Sequence, residues 1–367
     1  MGLERIVSLA PGRTCLFGDH QDYLKLPVIA CAISRYITLT AVRNDSQKLI
    51  ISKPDINEIR VIDLSEPILK IEKGDHLLTA IKIAEQYKCI PDKGYDIHIS
   101  GNIAINAGTS SSSAVVVAWI KFLLTAFGCN QKITKEFVSK LAYQTEVEYH
   151  NSPGGKMDQY SIGLGNIMYL ETDAKANYVT FDKPLKGLIV AESGVPKQTT
   201  GVLGELKEKA LLAVHKVKEK ISSFELKEVN KDELPSYLNY VSDDLKVFLS
   251  AAVLNHDITQ RALKEFQKET WSVAAIGALM TEHHEILKNY LNLTVPKIDA
   301  MINTAISAGA LGAKIVGSGR GGSIVVLANE GEEDKIIDSL LKAGAKDAYK
   351  VQVDPGARIV EPKSIQS

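Results

Sequence analysis

No stretch of this sequence is long and apolar enough to cross a bilayer. The longest wholly apolar run, Ala114–Ile120, closes at Lys121, well short of the roughly 20 residues a spanning helix needs. Charge of one sign is also missing. Lys and Arg number 43 against 44 Asp and Glu, a formal net charge of −1. That balance excludes the broad positive field on which general nucleic-acid or anionic-membrane binding depends, while leaving room for a small basic pocket. Cysteine is sparse: Cys15, Cys31, Cys89 and Cys129 include no C-x-x-C pair, so reduced thiols in a cytoplasmic setting are expected. The opening M-G-L-E-R-I has charges before any apolar stretch and reads as no secretory signal. Ile6 stands where a myristoylation motif needs Ser or Thr. Neither repeats nor low-complexity segments are visible.

What is present is the composition of a globular enzyme, 45% hydrophobic and 24% charged. At 367 residues the chain exceeds what one hydrophobic core usually carries, so two lobes are expected. Short β-branched or alternating stretches at Ile6–Leu9, Ile37–Val42, Leu49–Lys53 and Tyr95–Ser100 predict strands. Periodicity predicts helices at Leu77–Gln86, Ser110–Phe127 and Lys135–Tyr149, with His76 solvated at the entry to the first. The pattern loosens over Tyr178–Lys186, which sets a boundary between units 1–185 and 186–367. The second unit is helix-rich: Gly204–Ser222, Leu234–Tyr240, Thr259–Lys268, Trp271–Leu291, Lys297–Ala308 and Glu332–Ala343. Strands are expected at Ser323–Leu327 and Ala348–Val353, with Gly309–Gly322 as a turn region. The class is α+β.

Three motifs point to phosphate chemistry. A-P-G-R-T-C-L-F-G-D-H-Q-D-Y, Ala10–Tyr23, gathers Arg13, Asp19, His20 and Asp22 beside glycines. Such a segment suits a loop whose backbone approaches a small polar ligand, and ionised carboxylates accept hydrogen bonds from sugar hydroxyls. A solvated surface turn fits the same residues, and no zinc spacing is present. N-A-G-T-S-S-S-S-A, Asn106–Ala114, lies between a strand and the strongest predicted helix. Its small residues and the helix dipole suit phosphate oxygens, although no Gly-Lys-Ser/Thr makes it a Walker A loop. A serine linker ending in a helix cap is the alternative. V-G-S-G-R-G-G-S, Val316–Ser323, implies close backbone approach or positive φ angles. In S-P-G-G-K-M-D-Q, Ser152–Gln159, a turn presents Asp158, with Glu146 upstream. Asp158 suits the orienting or deprotonation of a hydroxyl, and Glu146 suits Mg²⁺. As alternatives, Asp158 caps a helix and Glu146 sits in a surface ion pair. His283 and His284 are adjacent on a helix and so face different directions, one packing and one solvated.

In their order, these motifs resemble those of the GHMP kinase superfamily, which includes galactokinase, homoserine kinase, mevalonate kinase and phosphomevalonate kinase. P-G-R-x-x-x-x-G-D-H-x-D-Y, G-G-K-M-D-Q, T-E-H-H-E-I-L with P-K-I-D, and P-G-A-R-I are similar to galactokinase segments. The resemblance implies a ribosomal-protein-like N-terminal lobe and a ferredoxin-like C-terminal lobe. It implies Asp158 as the catalytic aspartate with Arg13 as cationic partner, and Asp19, His20 and Asp22 on sugar hydroxyls. Asn106, Ala107, Gly108, Thr109, Ser110, Ser111, Ser112, Ser113 and Gly319 would bind ATP, with Ser112 and Glu146 at Mg²⁺. Such a site suffices for phosphoryl transfer, which needs mainly positioning and charge stabilisation.

The departures are specific. Asp19 stands where galactokinases usually have glutamate and Gln21 where they have threonine. Glu192–Thr200 is more like mevalonate kinase, and the tyrosine offered to the sugar has no clear counterpart, Gly204 falling near its register. The expected function is transfer of the ATP γ-phosphate to the anomeric hydroxyl of a galactose-like sugar. The rivals are a GHMP kinase for another sugar or for mevalonate, or a non-catalytic sensor of sugar and ATP. No nucleic-acid or membrane partner is expected.

Overall fold

The computed structural model describes residues 4–197 and 200–361. Its frame is a long antiparallel pair, β1 (Arg5–Phe17) and β2 (Val28–Arg43). β1 is buried almost throughout because it crosses from one core to another. Ile6 and Ala10 pack in the core of the first lobe, whereas Leu16 and Phe17 join that of the second. The segment expected to be an open loop from Ala10 is therefore strand as far as Phe17. Register shifts at Pro11/Gly12 and Cys15/Phe17 bend it, and bulges of this kind re-aim side chains near functional sites.

Around this pair lie β3 (Lys48–Lys53), β4 (Glu58–Asp63), α1 (His76–Glu85), β5 (Tyr95–Gly101), α2 (Ser111–Phe127), α3 (Lys135–Tyr143), α4 (Met157–Leu164), β6 (Ile167–Leu170) and β7 (Tyr178–Phe181). With a last strand β12 (Arg358–Val360), the strand order is β12-β1-β2-β5-β3-β4, with β6 on the start of β2 and β7 on β6. The predicted 135–149 helix is α3 continued by a π-helical turn, Gln144–Glu148; such turns recur at functional sites. α2 lies in the core, where Trp119 is fully buried and its indole N–H donates to the Leu77 carbonyl at 3.1 Å.

The second unit contains β8 (Leu188–Glu192), α5 (Thr200–Lys220), α6 (Leu234–Tyr237), α7 (Asp243–Phe266), α8 (Val273–Asn289), α9 (Pro296–Ser307), β9 (Gly312–Ile315), β10 (Ser323–Leu327), α10 (Glu333–Lys342) and β11 (Asp347–Lys350). Its sheet has the order β11-β8-β10-β9, with antiparallel pairs. A strand, a helical insertion, a hairpin, a helix and a last strand next to the first make the ferredoxin-like arrangement.

Three expectations need correction. α7 begins at Asp243, not Thr259. Its apolar stripe of Leu245, Phe248, Leu249 and Ala252 gives way to buried Ser250, Asn255 and His256, which hid the periodicity. The turn region 309–322 holds β9, a fully buried strand. The chain after β11 also returns to the first sheet: Val353 bridges Ile33, and β12 (Arg358–Val360) pairs with β1. A cut at 185/186 therefore leaves the last strand of the 186–367 unit in the first lobe's sheet.

Candidate functional site

Two cavities meet at one wall, formed by Ser112, Asp158 and Lys197. The first lies over the start of α2. β5 runs into the serine loop, where Asn106, Gly108 and Ser110 take positive φ of 57°, 93° and 60°; Asn and Gly suit that conformation. Ser110 precedes the helix but its side chain makes no cap bond. Its hydroxyl instead donates to Asp158 Oδ2 at 2.5 Å, which leaves the first-turn N–H groups of α2 facing the cavity, an anion site by geometry and dipole. Ile99, Ile103, Ile105 and Val115 supply an apolar wall beside this polar floor.

Of the expected nucleotide residues, Asn106, Ala107, Gly108, Ser110, Ser111 and Ser112 line this cavity. Ser113 lies in the second. Thr109 is turned inward, its carbonyl accepting the Arg13 backbone N–H at 3.2 Å. Gly319 lines neither cavity; a Cβ there would meet the Leu293 side chain at 2.8 Å. The glycine loop is a second layer behind the first. A Cβ on Gly317 or Gly322 would meet the carbonyl oxygens of Gly108 and Ala107 at 3.2 and 3.0 Å.

Asp158 sits in the first turn of α4, at the junction of the two cavities. Arg13 holds it with Nε and Nη2, both 2.8 Å from Oδ1, and Nη1 donates to the Gly108 carbonyl. Burial works against the Arg13 charge, yet Asp158 and its other acidic neighbours raise its pKa above the ordinary value. Glu146, on the π-helical turn, accepts from Gln159 Nε2 at 2.7 Å. Its carboxyl is pushed up by burial, against hydrogen bonds from Gln159, Ser113 and Ser112, with Asp158 adding repulsion.

The second cavity is lined by Asp22, His20 and the Ser152–Gly155 turn. The Asp22 carboxyl is held against Gly155, where any Cβ would collide with its Oδ2. Burial and then Asp158 push its pKa up to about 6. His20, at φ 62°, donates from Nε2 to the Gly317 carbonyl at 3.2 Å, and burial lowers its pKa. Asp19 borders the cavity but is almost wholly buried, with Oδ2 2.6 Å from Lys314 Nζ and Oδ1 accepting the Gly317 N–H at 3.0 Å. Both oxygens of the expected sugar ligand thus have protein donors. Gln21 is fully buried and donates to the Pro27 carbonyl and Thr259.

Lys197 is the residue that sequence reasoning passed over. Its only signal is membership of V-P-K-Q-T, yet it lines both cavities. Burial, then Arg13, lower its pKa. His76, expected in solvent, is half-buried and borders the second cavity. Both histidines of α8 are buried, and burial pushes them down to about 3 for His283 and about 4 for His284.

Three family descriptions match in sequence order. These are the galactokinase galactose-binding signature over residues 2–43, the GHMP kinases N terminal domain over 75–166, and GHMP kinases C terminal over 262–346. The galactokinase of Thermococcus kodakarensis is 28% identical over 341 residues, covering 89% of this chain and 90% of that protein. The galactokinase of Streptomyces coelicolor is 27% identical, covering 95% and 92%. The crystal structure of Lactococcus lactis galactokinase complexed with galactose superposes with a TM-score of 0.85 at 22% identity, covering 97% of this chain and 95% of that one. Methanococcus jannaschii mevalonate kinase superposes at 0.71, also at 22% identity, covering 96% and 99%. With the galactose-binding signature and both GHMP kinase models matched in order along it, the chain belongs to the GHMP kinases.

Proposed function

We propose that this chain is a galactokinase, transferring the γ-phosphoryl group of ATP to the anomeric hydroxyl of galactose. The observation that carries the reading is the shared wall. One carboxylate, Asp158, stands between an open helix N-terminus and a pocket lined by a second carboxyl and a histidine. In the first cavity the apolar wall takes the base, and the backbone N–H groups of Ser111 and Ser112 take phosphate oxygens. In the second, Asp22 and His20 take sugar hydroxyls.

Asp158 accepts the proton of the attacking hydroxyl or its hydrogen bond, while Arg13 fixes the carboxylate geometry through two N–H groups. Ser110 holds the other oxygen, so neither oxygen can swing away from the reacting centre. Lys197 brings a second cation to the same wall, where charge moves from the nucleotide to the acceptor. Ser112 and Glu146 would hold Mg²⁺. The donor set suits it, since a buried carboxyl that resists ionisation beside Asp158 is relieved by a cation. When bound, the ion neutralises phosphate charge.

The test is ADP release with Mg-ATP and D-galactose, beside other free sugars and mevalonate. Turnover on galactose above the rest is the expected result. Turnover on mevalonate alone would reassign the second cavity, for which V-P-K-Q-T is the one sequence feature. ATP binding with no turnover on any acceptor would favour a sensor. Asp158→Asn should bind ATP nearly as well as the parent while kcat falls by roughly 10³-fold or more, because it removes the group that meets the hydroxyl.

A further inference from the structure

Lys314 is a lysine with no exposed surface, on the short buried strand β9. Its ammonium donates to Asp19 Oδ2 at 2.6 Å, to the Cys15 carbonyl at 2.9 Å and to the Ile315 carbonyl at 2.8 Å. An ammonium has three donors, and all are used. On the other side, Asp19 Oδ1 accepts the Gly317 N–H at 3.0 Å, and its backbone carbonyl accepts from Asn255 Nδ2 of α7 at 2.7 Å. The pair therefore ties the end of β1 to the second lobe's sheet and to a helix.

Its reach into the site passes through one glycine. The Gly317 N–H is held by Asp19 and the Gly317 carbonyl by His20 Nε2. His20 lines the acceptor cavity, and the same loop backs Ala107 and Gly108 of the serine loop. We propose that Asp19 is a positioning residue and not a sugar ligand: paired with Lys314, it clamps Gly317 and so sets His20 on the acceptor side and the serine loop on the nucleotide side. This inference rests on the assignment of the two cavities to acceptor and nucleotide. It also gives the aspartate a reason, because the shorter side chain leaves its two carboxylate oxygens bonded within the protein, to Lys314 and to the Gly317 N–H.

Breaking a buried pair from one side strands a charge, whereas replacing both partners with neutral groups is often tolerated. The experiment uses the full chain with Asp19→Asn, Lys314→Met and the double variant. Each is measured for Tm, for ATP affinity by binding, and for the KM of galactose and of ATP. Each single change should lower Tm by about 5 °C or more, and should weaken ATP binding and raise the galactose KM together, several-fold. The double variant keeps an amide oxygen for the Gly317 N–H and should regain most of all three. A double variant with recovered Tm and ATP affinity but a galactose KM still raised tenfold would make Asp19 a sugar ligand and overturn the proposal. Single variants with unchanged Tm would overturn it as well. If the parent does not turn over galactose, the functional reading fails separately, and the Tm and ATP-binding pattern still decides the role of Asp19.

Discussion

The serine loop and the glycine loop are both built from small residues and lie back to back, but only the serine loop lines the cavity at the start of α2, while the glycine loop reaches the second cavity through Gly317 and Ser318 alone. In the serine loop, Asn106 and Gly108 take positive φ to turn backbone toward open space at the start of α2. In the glycine loop, Gly317, Gly319, Gly321 and Gly322 do so to let protein meet protein. Glycine density marks close backbone approach, and it does not say what is approached. The two loops differ in the element each one opens. The serine loop leads into a long helix whose N–H groups need an acceptor, and the glycine loop into a strand already paired on both sides.

The sharpest way to break this contrast is Gly108→Val. The residue sits at φ 93°, and a Cβ would lie 2.8 Å from the Val316 carbonyl oxygen, so the change distorts both layers where the cradle is formed. The KM for ATP should rise by roughly 100-fold, about 2.7 kcal/mol of lost binding, checked by steady-state kinetics beside a circular-dichroism control. Next in size is Ser110→Ala, which frees one oxygen of Asp158 while leaving the loop backbone intact. Its kcat should drop by about 10-fold, the loss of one charge-assisted bond, with the KM for ATP within about twofold. Gly319→Ala is the counter-test. Its φ of 83° and the Leu293 side chain at 2.8 Å should cost about 1–3 kcal/mol of stability, read as a lower Tm, without a change in the KM for ATP. A tenfold rise in that KM would put Gly319 back among the nucleotide contacts.

The same contrast explains what the sequence disclosed. Local signals survived folding: the α2 pattern, the turn before Asp158 and the cluster after Arg13 all lie within short windows, and the structure gathers them round one wall. Signals that depend on distant partners did not. Lys314 stands inside a glycine-dense stretch that reads as a turn, and only its partner, 295 positions away in the chain, makes a strand with a buried charge intelligible. His283 and His284 illustrate the limit of helical-wheel reasoning. Gly277 and Gly312 allow α8 to lie directly on β9, so two adjacent positions both face protein. One stacks on Phe17 and the other accepts the Ile315 N–H at 3.4 Å. Lys197 was obscured for a different reason, since a lone lysine after proline has no pattern to betray it.

A third glycine extends the comparison from backbone to side chain. Gly155 makes room neither for a ligand nor for another loop, but for the carboxyl of Asp22. Burial there, with Asp158 adding repulsion, places the Asp22 pKa at about 6, above the roughly 3.9 of an unfolded chain. The folded state therefore binds this proton more tightly, so the group favours folding below about pH 4, and that contribution is lost as pH rises through about 6. Catalysis runs the other way, because only the ionised carboxylate accepts a sugar hydroxyl at both oxygens. For the parent, kcat/KM for galactose should fall as pH drops through about 6 while the KM for ATP changes little. Asp22→Asn should lose that inflection together with most of its galactose affinity. Since the carboxyl faces an open cavity and is partly screened, the stability gain is modest. Tm should rise by about 2 °C at pH 7 and match the parent near pH 4, which thermal melts at the two pH values would check. A parent whose kcat/KM stays flat between about pH 5 and 7 would show that Asp22 is ionised throughout, and that Gly155 holds it in contact with water after all.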